Sequence, residues 1–319
     1  MKKRAIALAL AFVFCISFSI SACAMPDESE TTPPITDAII QNAVMQEPIS
    51  EYQMALEKAA AMEAEAQVHG TPVKFVENPL EAYKRDFEVR AAMDPEILRN
   101  VGYSDEDISV LQDYRFGLCT FEEAAARVAA ELTPTIWCSL FTPEKYTISY
   151  SWEWNKLPAS VGVDGFALAG YGINSQNQTF ETRISLTSSS VQYYKMSGEY
   201  YKSEYPSRDV GGARTSASFE LFKLDDLGHE NVWAKKGSIN MTIVPVITGG
   251  AAFASVRAAG AYGHSSSTFS GSMTISASVN PLEGDISFSF SPSSSFVSVQ
   301  PYGKKQVLFY VNGDYDEEM

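Results

Sequence analysis

The stretch 150-YSWEWNKLP-158 sets Tyr150, Trp152 and Trp154 at alternate positions, places Ser149, Ser151, Glu153 and Asn155 between and beside them, and then breaks at Lys-Leu-Pro. A period of two is that of a strand with one buried face. Three large rings on one side supply much of a sandwich core, and the polar residues opposite mark the side that faces water. The aromatic side is therefore expected to be covered, as core rather than as the floor of a ligand site. Glu153, although flanked by two tryptophans in sequence, points away from both rings.

Outward from this stretch the same pattern continues to the C-terminus. From Ile136 the chain is rich in Ser, Thr, Tyr, Phe and Val, and turn signals interrupt it about every ten residues. Strands are expected over 136–141, 145–155, 163–171, 179–187, 190–196, 199–205, 215–224, 237–247, 252–262, 267–279, 285–291 and 305–311. Met273, Ile275, Ala277 and Val279, then Ile286, Phe288 and Phe290, alternate with small hydroxylated or acidic residues. The segment YYKMSGEYYKSEY reads as a hairpin turning at Ser197-Gly198, and the following Pro206–Arg214 reads as a loop.

Upstream the spacing changes to that of helices. Ser50 with Gln53, Pro79, Asp94-Pro95, Ser104 with Asp107, and Thr120 with Glu123 are helix-start signals. Leu80, Tyr83 and Phe87, then Ile108, Leu111 and Tyr114, recur on one helical face and read as core. The expected fold class is α+β: a small helical region, residues 48–134, followed by a predominantly antiparallel β-sandwich, residues 135–319. A jelly roll is one topology that the strand spacing permits.

The N-terminus reads as a signal, residues 1–24, followed by a Pro-, Ser- and acid-rich flexible linker, residues 25–47. Lys2, Lys3 and Arg4 precede an apolar run, and Ile20-Ser21-Ala22-Cys23 resembles the lipobox of bacterial lipoproteins. That resemblance implies lipidation of Cys23 and an anchor at the outer face of the cell membrane. Ordinary cleavage after Ala24 is the second reading of the same residues. The organisation as a whole resembles exported proteins of Gram-positive bacteria, and implies location without implying an activity.

Of four cysteines, Cys15 and Cys23 fall in the signal. Cys119 and Cys138 remain, and an oxidising compartment permits a disulfide between them, the alternative being two buried thiols. The formal net charge of −15 becomes more negative once the basic signal is removed. Such a chain repels nucleic acid and anionic lipid, so neither is an expected partner and membrane contact is expected only through the lipid anchor.

Catalytic patterns are thin. There are three histidines. His229-Glu230 lacks the second histidine of a zinc-protease helix, because Trp233 stands there, and Gly263-His264-Ser265-Ser266-Ser267 lacks the closing glycine of a nucleophile elbow. His264 reads as loop surface. No dinucleotide or phosphate-loop fingerprint occurs, so no cofactor, metal site or catalytic residue is assigned. The expected function is a non-enzymatic surface protein whose sandwich binds cell-wall or environmental glycan, or another surface protein. Its expected ligand surface comprises Tyr193, Tyr194, Tyr200, Tyr201, Arg208 and Arg214. The alternatives are an exported polysaccharide hydrolase and a structural or pore-forming β protein.

Overall fold

The computed structural model describes residues 43–69, 78–246, 252–265, 273–280, 284–292, 302, 306–310 and 314–317. The expected signal, Cys23 and most of the expected linker lie outside them. In chain order the elements are β1 (Ala43–Met45), β2 (Ile49–Ser50), α1 (Glu51–His69), α2 (Pro79–Ala91), α3 (Pro95–Asn100), α4 (Asp105–Arg115), α5 (Phe121–Val128), β3 (Glu131–Thr142), β4 (Lys145–Trp154), β5 (Val163–Ile173), β6 (Thr179–Phe180), β7 (Thr182–Lys195), β8 (Tyr200–Glu204), β9 (Arg208–Gly211), β10 (Arg214–Glu220), β11 (Phe222–Leu224), β12 (Asn231–Pro245), β13 (Ser255–Gly263), β14 (Met273–Asn280), β15 (Asp285–Pro292), β16 (Gln306–Tyr310) and β17 (Tyr315–Glu317).

Local chemistry explains the helix starts. Side chains of Asn78 and Asp94 accept from the backbone N–H two residues on, and Pro79 and Pro95 occupy first-turn positions. Ser104 with Asp107, and Thr120 with Glu123, close reciprocal capping boxes. Ser50 ends β2, opposite Glu131 on β3, and α1 begins at the next residue, Glu51, where the sequence signal places a helix start. The expected linker also ends early, because Ala43–Met45 pair antiparallel with Trp137, Ile136 and Thr135.

The strands form an α+β fold with a β-sandwich body. One sheet runs β1-β3-β4-β12-β7-β8, with β2 on β3 and β11 on β12; the second runs β17-β16-β13-β5-β10-β9, with β6 on β5. All the pairings are antiparallel. β5 is buried along its whole length because it is covered on both sides. Its Phe166 and Leu168 face the first sheet, whereas Ala167, Ala169 and Tyr171 face β14 and β15, which pair only with each other among the described strands.

Tyr150, Trp152 and Trp154 are core, at most 1% exposed. The Trp152 ring stacks on Phe219 of the second sheet at 5.0 Å and 8°, and Trp154 Nε1 donates to Tyr262 Oη at 3.2 Å. Gly260 on β13 leaves room for the Tyr150 ring, which lies where a side chain at 260 would begin. Glu153 is exposed and faces outwards, opposite Lys236 and Thr133. The same core takes in Tyr83, Phe87, Leu111 and Phe121 from the helices, so helices and sandwich are not separate domains.

Two expectations are corrected here. Cys119 and Cys138 are not joined to each other: Cys119 Sγ lies against the Val110 carbonyl in the helical cluster, while Cys138 is buried on the core side of β3. The segment Pro206–Arg214 is no loop, since β9 and β10 form a tight hairpin whose turn residue Gly212 has φ +61°.

Candidate functional site

The break after Trp154 is where the helices are joined to the sandwich. Asn155 turns the chain by pairing with Glu131, through both its backbone N–H and its side chain. Lys156 is drawn inwards, with Nζ 2.9 Å from Asp107 Oδ2 and 5.2 Å from the centroid of the Tyr103 ring. Successive backbone groups then find partners on the helices. Leu157 N–H donates to Val101 O and its carbonyl accepts from Tyr103 Oη, the Pro158 carbonyl accepts from Arg90, and Ala159 and Ser160 N–H donate to Glu51 at 2.8 and 2.7 Å. Ser160 Oγ donates to Asp86 at 2.9 Å.

Glu51 leads on to the most buried set of charges in the described structure. His264 lies between two carboxylates, with Nδ1 3.0 Å from Asp164 Oδ2 and Nε2 3.4 Å from Glu51 Oε1. Asp164 also accepts from Tyr262 Oη and from the Ser265 N–H. Burial opposes a charge on the imidazole, but the charge and hydrogen bonds of Asp164, together with Glu51, outweigh it and push the His264 pKa up to about 10. At neutral pH this is an imidazolium that donates from both nitrogens. His264 is therefore not loop surface, as its sequence context suggests, but 7% exposed.

A cavity of about 30 Å³ adjoins the cluster, lined by Glu51, Lys58, Tyr83, Ser160, His264 and Ser265 among others. About 10–15 Å³ holds one water, so the space suits only a few atoms. Burial lowers the pKa of Lys58 against the opposing pull of Asp164, and the Tyr83 hydroxyl is buried without a hydrogen-bond partner. Both ring nitrogens of His264 are committed to carboxylates, and Ser265 Oγ donates to the Val163 carbonyl at 2.7 Å, so His264 does not face the Ser265 hydroxyl as a base. The cluster is a clamp of compensated charges between α1, β5 and the end of β13.

The six expected surface residues are not brought together. Tyr193 is 1% exposed, with its hydroxyl on the Glu220 carbonyl, whereas Tyr194 and Tyr201 are half-buried and Tyr200 is exposed. Tyr194 and Tyr200 meet edge to face at 5.7 Å, and Lys235 lies over the Tyr194 ring. Arg208 and Arg214 belong to the other sheet; Arg208 is exposed, while the guanidinium of Arg214 is tied to the Ala277 carbonyl. Adjacent tyrosines on a strand point to opposite faces, and this alone splits the set.

A broader surface emerges on the outer face of the first sheet. Opposite the aromatic core, laddered neighbours run in rows: Thr135, Ser151, Ser238 and Ser190, then Trp137, Ser149, Asn240 and Ser188. Ser190 and Ser238 hydroxyls are 3.2 Å apart, Asn240 Nδ2 donates to Ser188 Oγ at 3.1 Å, and Thr147 and Thr242 hydroxyls meet at 2.7 Å. Trp137 is half-exposed among them. Sequence alternation places Ser149 and Ser151 on this face, and the register adds the others, with Ser149 and Thr242 themselves buried.

No protein-family model and no curated protein matches the chain. Among solved structures, a chain described as "AvmM Catalyzes Macrocyclization in Alchivemycin A Biosynthesis" is 8% identical over 40% of this chain and 72% of its own, with a TM-score of 0.19. A likeness that slight carries no argument. Among the described residues no helix is long and apolar enough to cross a membrane, and no three metal-ligating side chains are grouped to hold an ion.

Proposed function

We propose that the chain is an exported surface protein, anchored by lipid at Cys23, whose sandwich binds glycan without turning it over. The observation that carries the binding half of this reading is the hydroxyl- and amide-lined outer face of the first sheet, with Trp137 set into it. Rows of Ser, Thr and Asn offer donors and acceptors at the spacing of a ladder, and an indole face offers an apolar plane for a sugar ring. A sheet face of this kind fits an extended polymer better than a small molecule, which takes a concave pocket.

A glycan array probed with the full chain tests this. Retention of a polysaccharide that falls at least tenfold in Trp137→Ala and in Asn240→Ala, with folding unchanged, is the expected result. Binding unaffected by both substitutions would remove the surface from consideration, and turnover of the bound polymer would remove the non-enzymatic assignment. For the anchor, incorporation of labelled palmitate is expected to disappear in Cys23→Ser.

A further inference from the structure

The cavity beside His264 holds more hydrogen-bond donors than the surrounding side chains can satisfy. Glu51 and Lys58 lie seven residues apart on one face of α1 and both line it, and Tyr83 of α2 stands in the same wall. The acceptors around this space are already supplied. Glu51 accepts from the N–H groups of Ala159 and Ser160 and from His264, and Asp164 accepts from His264, Tyr262 and the Ser265 N–H. The neighbouring hydroxyl protons are spent as well: Ser160 Oγ donates to Asp86, Ser265 Oγ to the Val163 carbonyl and Tyr302 Oη to the Met54 carbonyl.

The groups left over are all donors. The Tyr83 hydroxyl is buried with no partner among the described residues, and the Nε–H of Arg90, whose charge reaches that hydroxyl, has none either. Burial pushes the Tyr83 pKa well up, so its proton stays on the oxygen and can only be donated or left unpaired. The Lys58 ammonium forms no ion pair among the described residues: Asp164 acts on it through charge alone, and burial, the stronger influence, lowers its pKa. An unpaired buried donor is costly, and a buried cation without an adjacent counter-charge is more so. What the cavity lacks is an acceptor, and a negatively charged one answers both Tyr83 and Lys58.

We propose that this cavity is a binding site for a small monovalent anion, chloride or one of similar size, held between the Lys58 ammonium and the Tyr83 hydroxyl. The volume of about 30 Å³ suits a halide or formate and not a phosphate ester or a sugar. Glu51, the carboxylate in the same wall, does not repel the ion strongly, because the His264 imidazolium and two backbone N–H groups already offset its charge. Bound there, the anion ties α1 to α2 at the point where both meet the clamp. This inference concerns the interior of the molecule and does not rest on glycan binding at the outer face of the first sheet.

The test uses the full chain at constant ionic strength, with sodium gluconate, whose anion is too large for the cavity, exchanged stepwise for sodium chloride. The urea midpoint is expected to rise with chloride and to level off, as binding to the folded state alone requires, and formate or bromide is expected to replace chloride. The chloride NMR resonance is expected to broaden in the presence of the protein. Tyr83→Phe removes only the unpartnered hydroxyl and is expected to weaken chloride binding roughly tenfold or more, the loss of one hydrogen bond to a charged partner. Lys58→Met keeps the length of the side chain and is expected to abolish binding. A midpoint that does not distinguish chloride from gluconate would overturn the proposal and leave water as the occupant. So would broadening that Tyr83→Phe retains in full, since that would place the ion elsewhere; this variant alone suffices should Lys58→Met not fold.

Discussion

His264 shows how a residue with little to say in sequence becomes decisive in space. Its imidazolium is held between Asp164 and Glu51, which come from β5 and from the first turn of α1. Its folded pKa, about 10, lies above the ordinary histidine value of 6.5. A raised pKa contributes stability that is complete below the unfolded value and is lost as pH rises through the folded one. The urea midpoint is therefore expected to fall between pH 6.5 and 10, and this slope is expected to be shallower in His264→Gln. Asp164→Asn removes the larger counter-charge from a buried cation and is expected to cost on the order of 3–5 kcal/mol. A stability that stays flat across that interval in the wild type would argue against an imidazolium in the cluster.

At the scale of the element, Gly260 on β13 is where one sheet makes room for a ring of the other. A Cβ there would run into the Tyr150 ring, which is fully buried and cannot swing away. Overpacking of a dense core ordinarily costs about 1–3 kcal/mol. Gly260→Ala is expected to reach the upper end of that range in a urea titration, whereas Gly211→Ala, with only the end of the Arg214 side chain near it, is expected to change stability little. The elements themselves were largely legible. The caps of α2 to α5 are hydrogen bonds between residues two or three apart, and the alternation at Tyr150–Trp154 needs nothing beyond its own strand. β7 was less legible, since Thr187–Ser190 looks like a break between two strands. In the structure the strand runs through, because Thr187 Oγ1 bonds the Asn240 carbonyl and Ser189 Oγ the Pro206 carbonyl. The clamp was not legible at all: Glu51, Asp164 and His264 are far apart in sequence, and only strand pairing and helix docking bring them together.

At the scale of the whole molecule, one core joins what composition divides. Tyr83, Phe87 and Phe121 of the helices share it with Trp152, Phe166 and Tyr262 of the two sheets, and the Lys156–Ser160 segment hands its backbone groups to the helices one after another. Removing the helices would leave those buried groups unpaired, so the sandwich is not expected to persist without them. Helix content by circular dichroism and tryptophan emission should therefore report one transition in urea at one midpoint. Emission can be followed with specificity, because the chain has four tryptophans and Trp152, Trp154 and Trp233 are at most 2% exposed, leaving Trp137 as the accessible one. In the native state iodide is expected to quench a minor fraction of the emission, and Trp137→Phe to abolish even that. Past the midpoint all remaining tryptophans become accessible together. A helical signal lost before the tryptophans open would mean that the helices are an appendage to the sandwich and not part of its core.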